Sequence, residues 1–371
     1  MSATTTTAAT TDRVLNFSAG PGVLPEEVLR QVQEDVWNIA GTGVGIMEHS
    51  HRAGTFDRIL AESIADCRKI GNIGDDYEIL FLTGGASTQN HLIPANLLPE
   101  GGTADYLITG YWASKSAQEC KVYGKPHTAF DGKPTNYTFI PSQKEIKFSE
   151  KPAYVHYTSN NTIMGTQFHY VPEPPAGVPL VCDMCSDIYS QPLDVSKYGL
   201  IYAGAQKNLG PAGTTLVIIR KDLLERAPRP LPTLMSYKVY ADNESRPNTP
   251  PVFAIYAVGL VFKWILKQGG LAPIAKRNQA KAKIIYDVLD GSSFYKGHAR
   301  PDSRSLMNIS FHTPNPETDK LFIAEALKEG MDNLKGHRSI GGMRASIYNA
   351  FPAEGCEAFA QFMREFERRH G

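Results

Sequence analysis

The stretch Val178-Pro-Leu-Val-Cys-Asp183 and the stretch Leu200-Ile-Tyr-Ala-Gly-Ala-Gln-Lys207 each run through apolar or small residues to one ionisable side chain. The second stretch continues into a turn rich in glycine and proline, Asn208–Gly213. Short, continuous apolar runs are typical of buried strands in a parallel sheet. Ligands of open α/β sheets bind beyond the carboxyl ends of the strands. The sequence therefore predicts that Asp183 and Lys207 face one cleft.

Other apolar runs extend this pattern along the chain. The predicted strands are Glu78–Thr83, Tyr106–Thr109, Tyr154–Thr158, Leu180–Asp183, Leu200–Tyr202 and Leu216–Arg220. Apolar residues at helical spacing alternate with them and predict helices over Pro25–Ile39, Thr55–Ile70 and Pro251–Leu266. The predicted fold class is α/β, with a large domain built on a mostly parallel sheet that helices flank.

After Gly269-Gly270 the predicted strands and helices follow a different order, which predicts a smaller α+β C-terminal domain. Its predicted elements are Ser305–Phe311 and Gly342–Tyr348 as strands, Thr318–Glu329 as a helix, and a closing helix. We expect a disordered tail (1–13), an N-terminal segment joining the small domain (14–27), a large cofactor-binding domain (28–267) and a small domain (268–371). The stretch Ala227–Pro251, rich in Pro, Asn and Ser, predicts a long loop.

Charge and composition exclude several classes of protein. The 371 residues include 38 basic and 38 acidic side chains, so the net charge is zero and there is no general attraction for nucleic acid or an anionic membrane. Five cysteines, an odd number, fit a reducing compartment. No apolar run is long enough to span a bilayer. We therefore expect a cytoplasmic protein without a nucleic-acid or membrane partner.

An acid and an amine at one sheet edge suit pyridoxal phosphate, which needs an aspartate for its ring nitrogen and a lysine for a Schiff base. The turn Gly84–Gln89 follows a predicted strand, and its helix N-terminal amides and the Ser87 hydroxyl would bind a phosphate. Trp112 follows another strand end and would stack on a flat ring. Taken singly, each feature has a plainer interpretation: a turn-capping Asp183, a surface Lys207, a common glycine turn and a core tryptophan.

Four longer motifs carry a more specific signal: Tyr202–Gly213, Met47–Arg52, Asn248–Pro251 and Gly341–Asn349. Together they closely resemble the phosphoserine aminotransferases, which are class V aminotransferases and fold-type I pyridoxal-phosphate enzymes of serine biosynthesis. The resemblance runs in order from Asn16 to Gly371. It implies amino transfer between L-glutamate and 3-phosphohydroxypyruvate, giving O-phospho-L-serine and 2-oxoglutarate. It leaves open the related four-carbon phosphorylated keto acid of vitamin B6 synthesis.

The resemblance also implies roles for matched residues at the cofactor. Lys207 would form the Schiff base, Asp183 would pair with the pyridine nitrogen and Trp112 would stack on the ring. Thr162 would lie near the phenolic oxygen. The phosphate contacts it implies are Ala86, Ser87, Gln206 and, from the partner subunit of a homodimer, Asn248 and Thr249.

For the substrates, the resemblance implies two anion-binding groups. Arg344 would hold the α-carboxylate. The distal phosphate or γ-carboxylate would bind to a pocket formed by Arg52, His51, His337 and Arg338. Arginine forks bind both kinds of anion, and histidines near neutrality can adjust their charge as phosphate and carboxylate alternate.

Two positions depart from what some members of the family carry. Ala86-Ser87 stands where some have an arginine in the glycine turn, so we expect phosphate binding with fewer donors. Ala19 stands where some have a serine, so a side-chain contact to the substrate carboxylate is lost while backbone amides remain available.

Two further patterns suggest metal or redox chemistry and are better explained otherwise. His49 and His51 form a His-x-His pair without a third ligand motif, so no metal site is predicted. Cys182 and Cys185 form a CxxC that brackets the cofactor aspartate, and we interpret them as small buried residues that pack around the ring.

Competing functions remain at this point. A lyase or desulfurase would need a cysteine nucleophile on a mobile loop, and no cysteine is predicted there. A non-catalytic binding protein would not need Lys207, Asp183 and Arg344 together. The glycine run Gly41–Gly45 follows a helix instead of a strand, so a nucleotide loop of a dehydrogenase is disfavoured.

Overall fold

The computed structural model describes residues 13–371, and the predicted disordered tail falls almost entirely outside them. The helices are α1 Glu26–Asn38, α2 Gly54–Gly71, α3 Ala86–Leu97, α4 Tyr111–Cys120, α5 Lys221–Leu224, α6 Tyr237–Asp242, α7 Val252–Lys267, α8 Leu271–Gly291, α9 Pro316–Lys328 and α10 Ala353–His370. The strands are β1 Leu15–Asn16, β2 Tyr77–Thr83, β3 Thr103–Ile108, β4 Lys125–Asp131, β5 Val155–Thr158, β6 Asn160–Asn161, β7 Thr166–Gln167, β8 Leu180–Asp183, β9 Leu200–Gly204, β10 Thr214–Arg220, β11 Lys296–Gly297, β12 Asn308–His312, β13 Met331–Asp332 and β14 Met343–Ser346.

The central sheet has seven strands in the order β2-β10-β9-β8-β5-β3-β4. Strands β9, β8, β5, β3 and β4 pair in parallel, and β10 runs antiparallel to both of its neighbours. Because β10 alone is reversed in this sheet, the carboxyl ends of the other six strands meet at one edge. The predicted α/β class with a mostly parallel sheet is confirmed.

All six strands predicted for the large sheet are present, with boundaries that differ by up to three residues. Strand β4 was not predicted, because its sequence Lys125-Pro-His-Thr-Ala-Phe-Asp131 is mostly polar. It lies at the edge of the sheet and is partly exposed, so it needs no apolar run. The prediction of one continuous loop over Ala227–Pro251 was wrong in part, because this stretch contains helix α6.

The sheet is covered on both faces by apolar side chains. One face packs against helices α2 and α7, and the other packs against α3. A separate core lies among α8, α9, α10 and the small sheet β11-β12-β14, and Phe17 from the N-terminal segment belongs to it. Helix α8 reaches both regions, with Ile274 in the first core and Ile285 in the second. The exact domain boundary at residue 268 stays a prediction.

Within residues 13–371, no single helix is long and apolar enough to cross a membrane. Helices α7 and α8 would qualify only as a pair, by length and composition, and their axes are bent by 88°. Most of α7 is buried against the first core.

Candidate active site

A cleft of about 300 Å³ opens at the sheet edge where the parallel strands end. Its size is within the range of small-ligand pockets. The predicted site residues that line it are Ala86, Ser87, Trp112, Thr162, Asp183, Gln206, Lys207, His337 and Arg344. Seven of them follow or end strands β2, β3, β6, β8 and β9 of the chain, and the other two, His337 and Arg344, come from the segment around β14. The fold therefore gathers nine of the predicted residues around one cavity.

Lys207 is the amine of this cleft, and it stands in the turn that follows β9. Its Nζ donates a hydrogen bond of 2.6 Å to the hydroxyl of Thr162. Burial lowers the pKa of Lys207, and the nearby charge of Arg344 acts in the same direction, while Asp183 opposes it. A larger neutral fraction makes this amine a better nucleophile and base.

Asp183 is the acid of the cleft, at the last residue of β8, and it is only 6% exposed. Its Oδ1 accepts a hydrogen bond of 2.9 Å from the backbone N–H of Cys185. It forms no ion pair with any side chain in residues 13–371, so a carboxylate oxygen remains available to a cationic ligand. On the neighbouring strand, Thr158 is level with Asp183, and its buried hydroxyl has no partner within residues 13–371.

The start of helix α3 forms an anion-binding corner. Gly84 has φ 108°, a left-handed value that glycine adopts without strain, and it turns the chain from β2 into the helix. The helix begins at Ala86, and no side chain in residues 13–371 caps its first turn. Uncapped amides at a helix start favour an anion. Ser87 in this turn and Gln206 beside Lys207 also line the cleft.

Trp112, His337 and Arg344 complete the cleft. Trp112 lies in the first turn of α4 and is 40% exposed, so its ring is free to contact a ligand. Arg344 lies on β14, and its Nη1 donates to the carbonyl of Thr162 at 3.4 Å. Burial lowers the pKa of His337, and Arg344 and Arg338 add to this effect.

Five predicted residues do not line the cleft of their own chain: His51, Arg52, Asn248, Thr249 and Arg338. Arg338 is exposed and directly follows His337, which lines the cleft. The other four lie in two segments joined by Arg246, whose guanidinium donates to the carbonyl of His51 at 3.4 Å and pairs with Asp57. His51–Arg52 and Asn248–Thr249 thus belong to one surface.

Sequence reasoning missed a buried polar group beneath the cleft. Asn160 and Ser186 line the cleft and hydrogen-bond to each other at 2.8 Å. Ser159 donates at 2.5 Å to Asp187, a second carboxylate near Asp183. Burial raises the pKa of Asp187 to about 7. The polar run Thr158–Thr162 was visible in the sequence, but a polar turn is common and did not distinguish these side chains.

The five cysteines are all buried, and burial raises the pKa of both Cys182 and Cys185 well above its ordinary value. A buried thiol with a raised pKa has little thiolate and is a poor nucleophile. Among the residues that the structure describes, no three His, Cys, Asp or Glu side chains group as a metal site requires.

The donor set fits pyridoxal phosphate. A partly buried amine, an unpaired buried carboxylate and an uncapped helix start face one cavity. These are the groups that the aldehyde, the pyridine nitrogen and the phosphate of this cofactor need. The unpartnered hydroxyl of Thr158 at the floor of the cavity is a further polar group that a ligand would satisfy.

Comparison with known proteins identifies the family of the chain. The sequence model of the family Aminotransferase class-V matches residues 14–359. Phosphoserine aminotransferases from Lysinibacillus sphaericus and Herpetosiphon aurantiacus are each 51% identical to the chain, over 97% and 96% of its length and 99% of theirs.

Solved structures are also similar. Phosphoserine aminotransferase from Bacillus circulans subsp. alkalophilus superposes with a TM-score of 0.95 at 47% identity, covering 97% of this chain and all of that one. The pyridoxal-phosphate-bound enzyme from Trichomonas vaginalis gives 0.91 at 37% identity, covering 95% of this chain and all of its own. The resemblance found in the motifs is confirmed, and the chain belongs to the phosphoserine aminotransferase family within the class V aminotransferases.

Proposed function

We propose that the protein transfers an amino group between L-glutamate and 3-phosphohydroxypyruvate, in two half-reactions, to give O-phospho-L-serine and 2-oxoglutarate. The observation that carries the proposal is the cleft that brings Lys207, Asp183 and Arg344 together. A lyase with a cysteine nucleophile is disfavoured because all five cysteines are buried. Relatives about 50% identical over nearly the whole chain carry the same activity in their names.

Pyridoxal phosphate is the cofactor that this donor set would hold. Lys207 would bind it covalently, Asp183 would pair with its ring nitrogen, and Trp112 would cover one face of the ring. Thr162 would lie by the phenolic oxygen, and the phosphate would take amides and hydroxyls from Ala86, Ser87 and Gln206. When bound, the cofactor supplies an electron sink for the charge that develops at the substrate Cα.

Lys207 would also move the proton. When not bound to the cofactor, its Nζ would take the proton from the substrate Cα as a general base. The hydroxyl of Thr162, 2.6 Å away, keeps Nζ in the cleft. The lowered pKa of Lys207 favours the neutral amine that this step needs.

Arg344 would bind the α-carboxylate, since it is the arginine that reaches into the cleft within residues 13–371. His337 and Arg338 would bind the distal anion from the same chain. The zero net charge of the protein is compatible with this site. A few arginine guanidinium groups and one helix N-terminus can bind small dianions without a basic surface.

The surface that carries His51, Arg52, Asn248 and Thr249 would complete the cleft of a partner subunit. Four exposed apolar side chains, which we call the Trp37 patch, precede His51 in the sequence: Val36, Trp37, Val44 and Met47. A hydrogen bond from the Ile39 N–H to the Val44 carbonyl brings their two segments together. Trp37 is 86% exposed and Met47 67%. Exposed apolar groups of this size mark interaction sites, and a two-fold dimer would bury the same patch from both subunits.

Mixed dimers test this sharing of the site. Co-expressed Lys207→Ala and Arg52→Ala chains with different tags should form a heterodimer with one intact site, because each chain supplies what the other lacks. The purified mixture should recover up to about a quarter of wild-type activity, measured as O-phosphoserine formed. Lys207→Ala mixed with Asp183→Asn is the control and should recover nothing, since both residues line the same cleft. Absence of recovery with Arg52→Ala would place Arg52 in the cleft of its own chain.

The proposed reaction is tested directly with purified holoenzyme. Glutamate and 3-phosphohydroxypyruvate should give stoichiometric 2-oxoglutarate and O-phosphoserine, and the four-carbon phosphorylated keto acid should be compared as an alternative acceptor. L-cysteine should release no sulfide, because no cysteine of the chain is exposed. Sulfide release, or a protein that takes up no pyridoxal phosphate, would overturn the proposal.

A further inference from the structure

A chain of buried hydrogen bonds runs from the floor of the cleft to its rim. Asn160, on β6, donates from Nδ2 to Oδ1 of Asn308 at 2.8 Å. Asn308, at the start of β12, donates from Nδ2 to the hydroxyl of Tyr348 at 3.2 Å. Tyr348 donates to the carbonyl of Ala19 at 2.6 Å. Asn160, Asn308 and Tyr348 are each at most 2% exposed, so water does not compete for the two bonds that join them.

The direction of these bonds is fixed by their last member. A carbonyl oxygen only accepts, so Tyr348 must donate to Ala19 and must accept from Asn308. The amide of Asn308 therefore turns its oxygen toward Asn160, whose own oxygen accepts from Ser305 at 2.5 Å. Every donor and acceptor along the chain agrees with this single orientation, which specifies one arrangement of the segments it joins.

The two ends of this hydrogen-bond chain lie at different parts of the cleft. Asn160 lines the cleft near Asp183, where the ring nitrogen of the cofactor would lie, whereas Ala19 and Gly20 line it at the N-terminal segment. Asn308 also donates to Ser346 at 2.9 Å, two residues after Arg344 on β14. The hydrogen-bond chain thus fixes the positions of Ala19 and of the strand that carries Arg344 relative to Asn160 at the floor of the cleft.

Close packing makes the link to Ala19 possible. A side chain at Gly22 would place its Cβ 2.7 Å from the ring of Tyr348, so only a glycine lets the ring lie under this segment. The backbone N–H of Gly22 donates to the carbonyl of Gln206 at 2.7 Å, next to Lys207. Tyr348 itself does not line the cleft.

We propose that Tyr348, oriented by Asn308, is a positioning residue for the α-carboxylate of both substrates: it holds the Ala19–Gly20 backbone in register with Arg344. This inference rests on the proposed transamination, because that reaction supplies the carboxylate. Tyr348 touches neither substrate nor cofactor by this account, so it should act on substrate binding and leave the cofactor link and the proton transfer unchanged.

The test uses holoenzyme of Tyr348→Phe, with Tyr295→Phe as the matched control. Tyr295 is also buried and donates to a backbone carbonyl, that of Met363 at 2.7 Å, but it lies in the second core away from the cleft. Tyr348→Phe should raise KM for glutamate and for the keto acid about five- to tenfold, the effect of one hydrogen bond. Its kcat and the visible absorbance of bound cofactor should stay near wild type, and Tyr295→Phe should change none of these.

Asn308→Asp provides a second variant that keeps the shape of the side chain. A carboxylate offers Tyr348 only acceptors, so the tyrosine would turn its proton toward residue 308 and release Ala19. The same rise in KM is expected. Equal KM values in Tyr348→Phe and Tyr295→Phe, or a fall in kcat without a change in KM, would overturn the inference. A wild-type enzyme inactive on glutamate would instead contradict the proposed function.

Discussion

Replacing Lys207 with alanine is expected to abolish transamination, with kcat lower by at least about four orders of magnitude. General-base catalysis alone contributes about 10²–10⁴-fold, and the same side chain would also form the covalent link to the cofactor. The fold should survive, because Lys207 lies in a turn and, within the described residues 13–371, its side chain hydrogen-bonds only to Thr162. Turnover of glutamate and the absorbance of the protein-bound cofactor after borohydride treatment measure the two effects.

Lys207→Arg separates charge from chemistry. The guanidinium keeps the positive charge near Asp183 but forms no Schiff base and stays protonated at any working pH. It should therefore be as inactive as the alanine variant while binding the cofactor more firmly. Substantial activity in either variant would show that another amine carries the reaction.

Neutralising Asp183 is expected to have the second largest effect. Asp183→Asn keeps the shape and the hydrogen bond from Cys185 but removes the charge that would hold the ring nitrogen protonated. Removal of one preorganised polar group that stabilises a transition state costs about 10²–10³-fold in kcat. Stopped-flow measurement of the glutamate half-reaction reports the chemical step. The amount of bound cofactor should fall far less than the rate, because Lys207 and the anion-binding corner at the start of α3 are unchanged.

Asp187→Asn is the matched control, since it makes the same change in a buried carboxylate four residues away. Burial raises the pKa of Asp187 to about 7, so neutralisation costs little near neutrality and kcat should stay close to wild type. Asp187 favours folding at low pH, and this contribution is lost as the pH rises from about 4 through 7. The variant should therefore be more stable than wild type at pH 8, by up to about 4 kcal/mol for a shift of this size. Equal loss of kcat in both variants would show that Asp183 has no special role.

The strands of the large sheet were predictable because burial on both faces demands continuous apolar runs, as in Leu180–Asp183. Strand β4 was not predicted, because an edge strand that is partly exposed does not need a continuous apolar run. The reversed direction of β10 depends on pairing between residues far apart, such as Val217 and Leu80, which no local pattern records. Helix α8 was also missed, since its apolar residues are divided between two cores instead of forming one stripe.

The site shows a similar division. Lys207 and Asp183 were predictable from residue type and position, because Asp183 ends one recognisable strand and Lys207 lies in the turn that follows another. Arg344 and His337 were assigned only through the family resemblance, since nothing local marks one arginine among many. Asn308 and Tyr348 were not assigned at all, because their role depends on a hydrogen-bond chain that joins four distant segments. The resemblance contained Tyr348 within a motif without giving it a function.

The pairing of β1 with β13 affects how the chain can fold during its synthesis. Asn16 accepts a hydrogen bond from Asn333, 317 residues further along, and the ring of Phe17 packs at a tilt against Phe351 and Phe359. At about 5–20 residues per second, a ribosome needs roughly 15 to 60 seconds to add the missing partners. The N-terminal segment leaves the ribosome first but is thus among the last to pack in its native position. The rim of the cleft is completed only when both ends of the chain have been made.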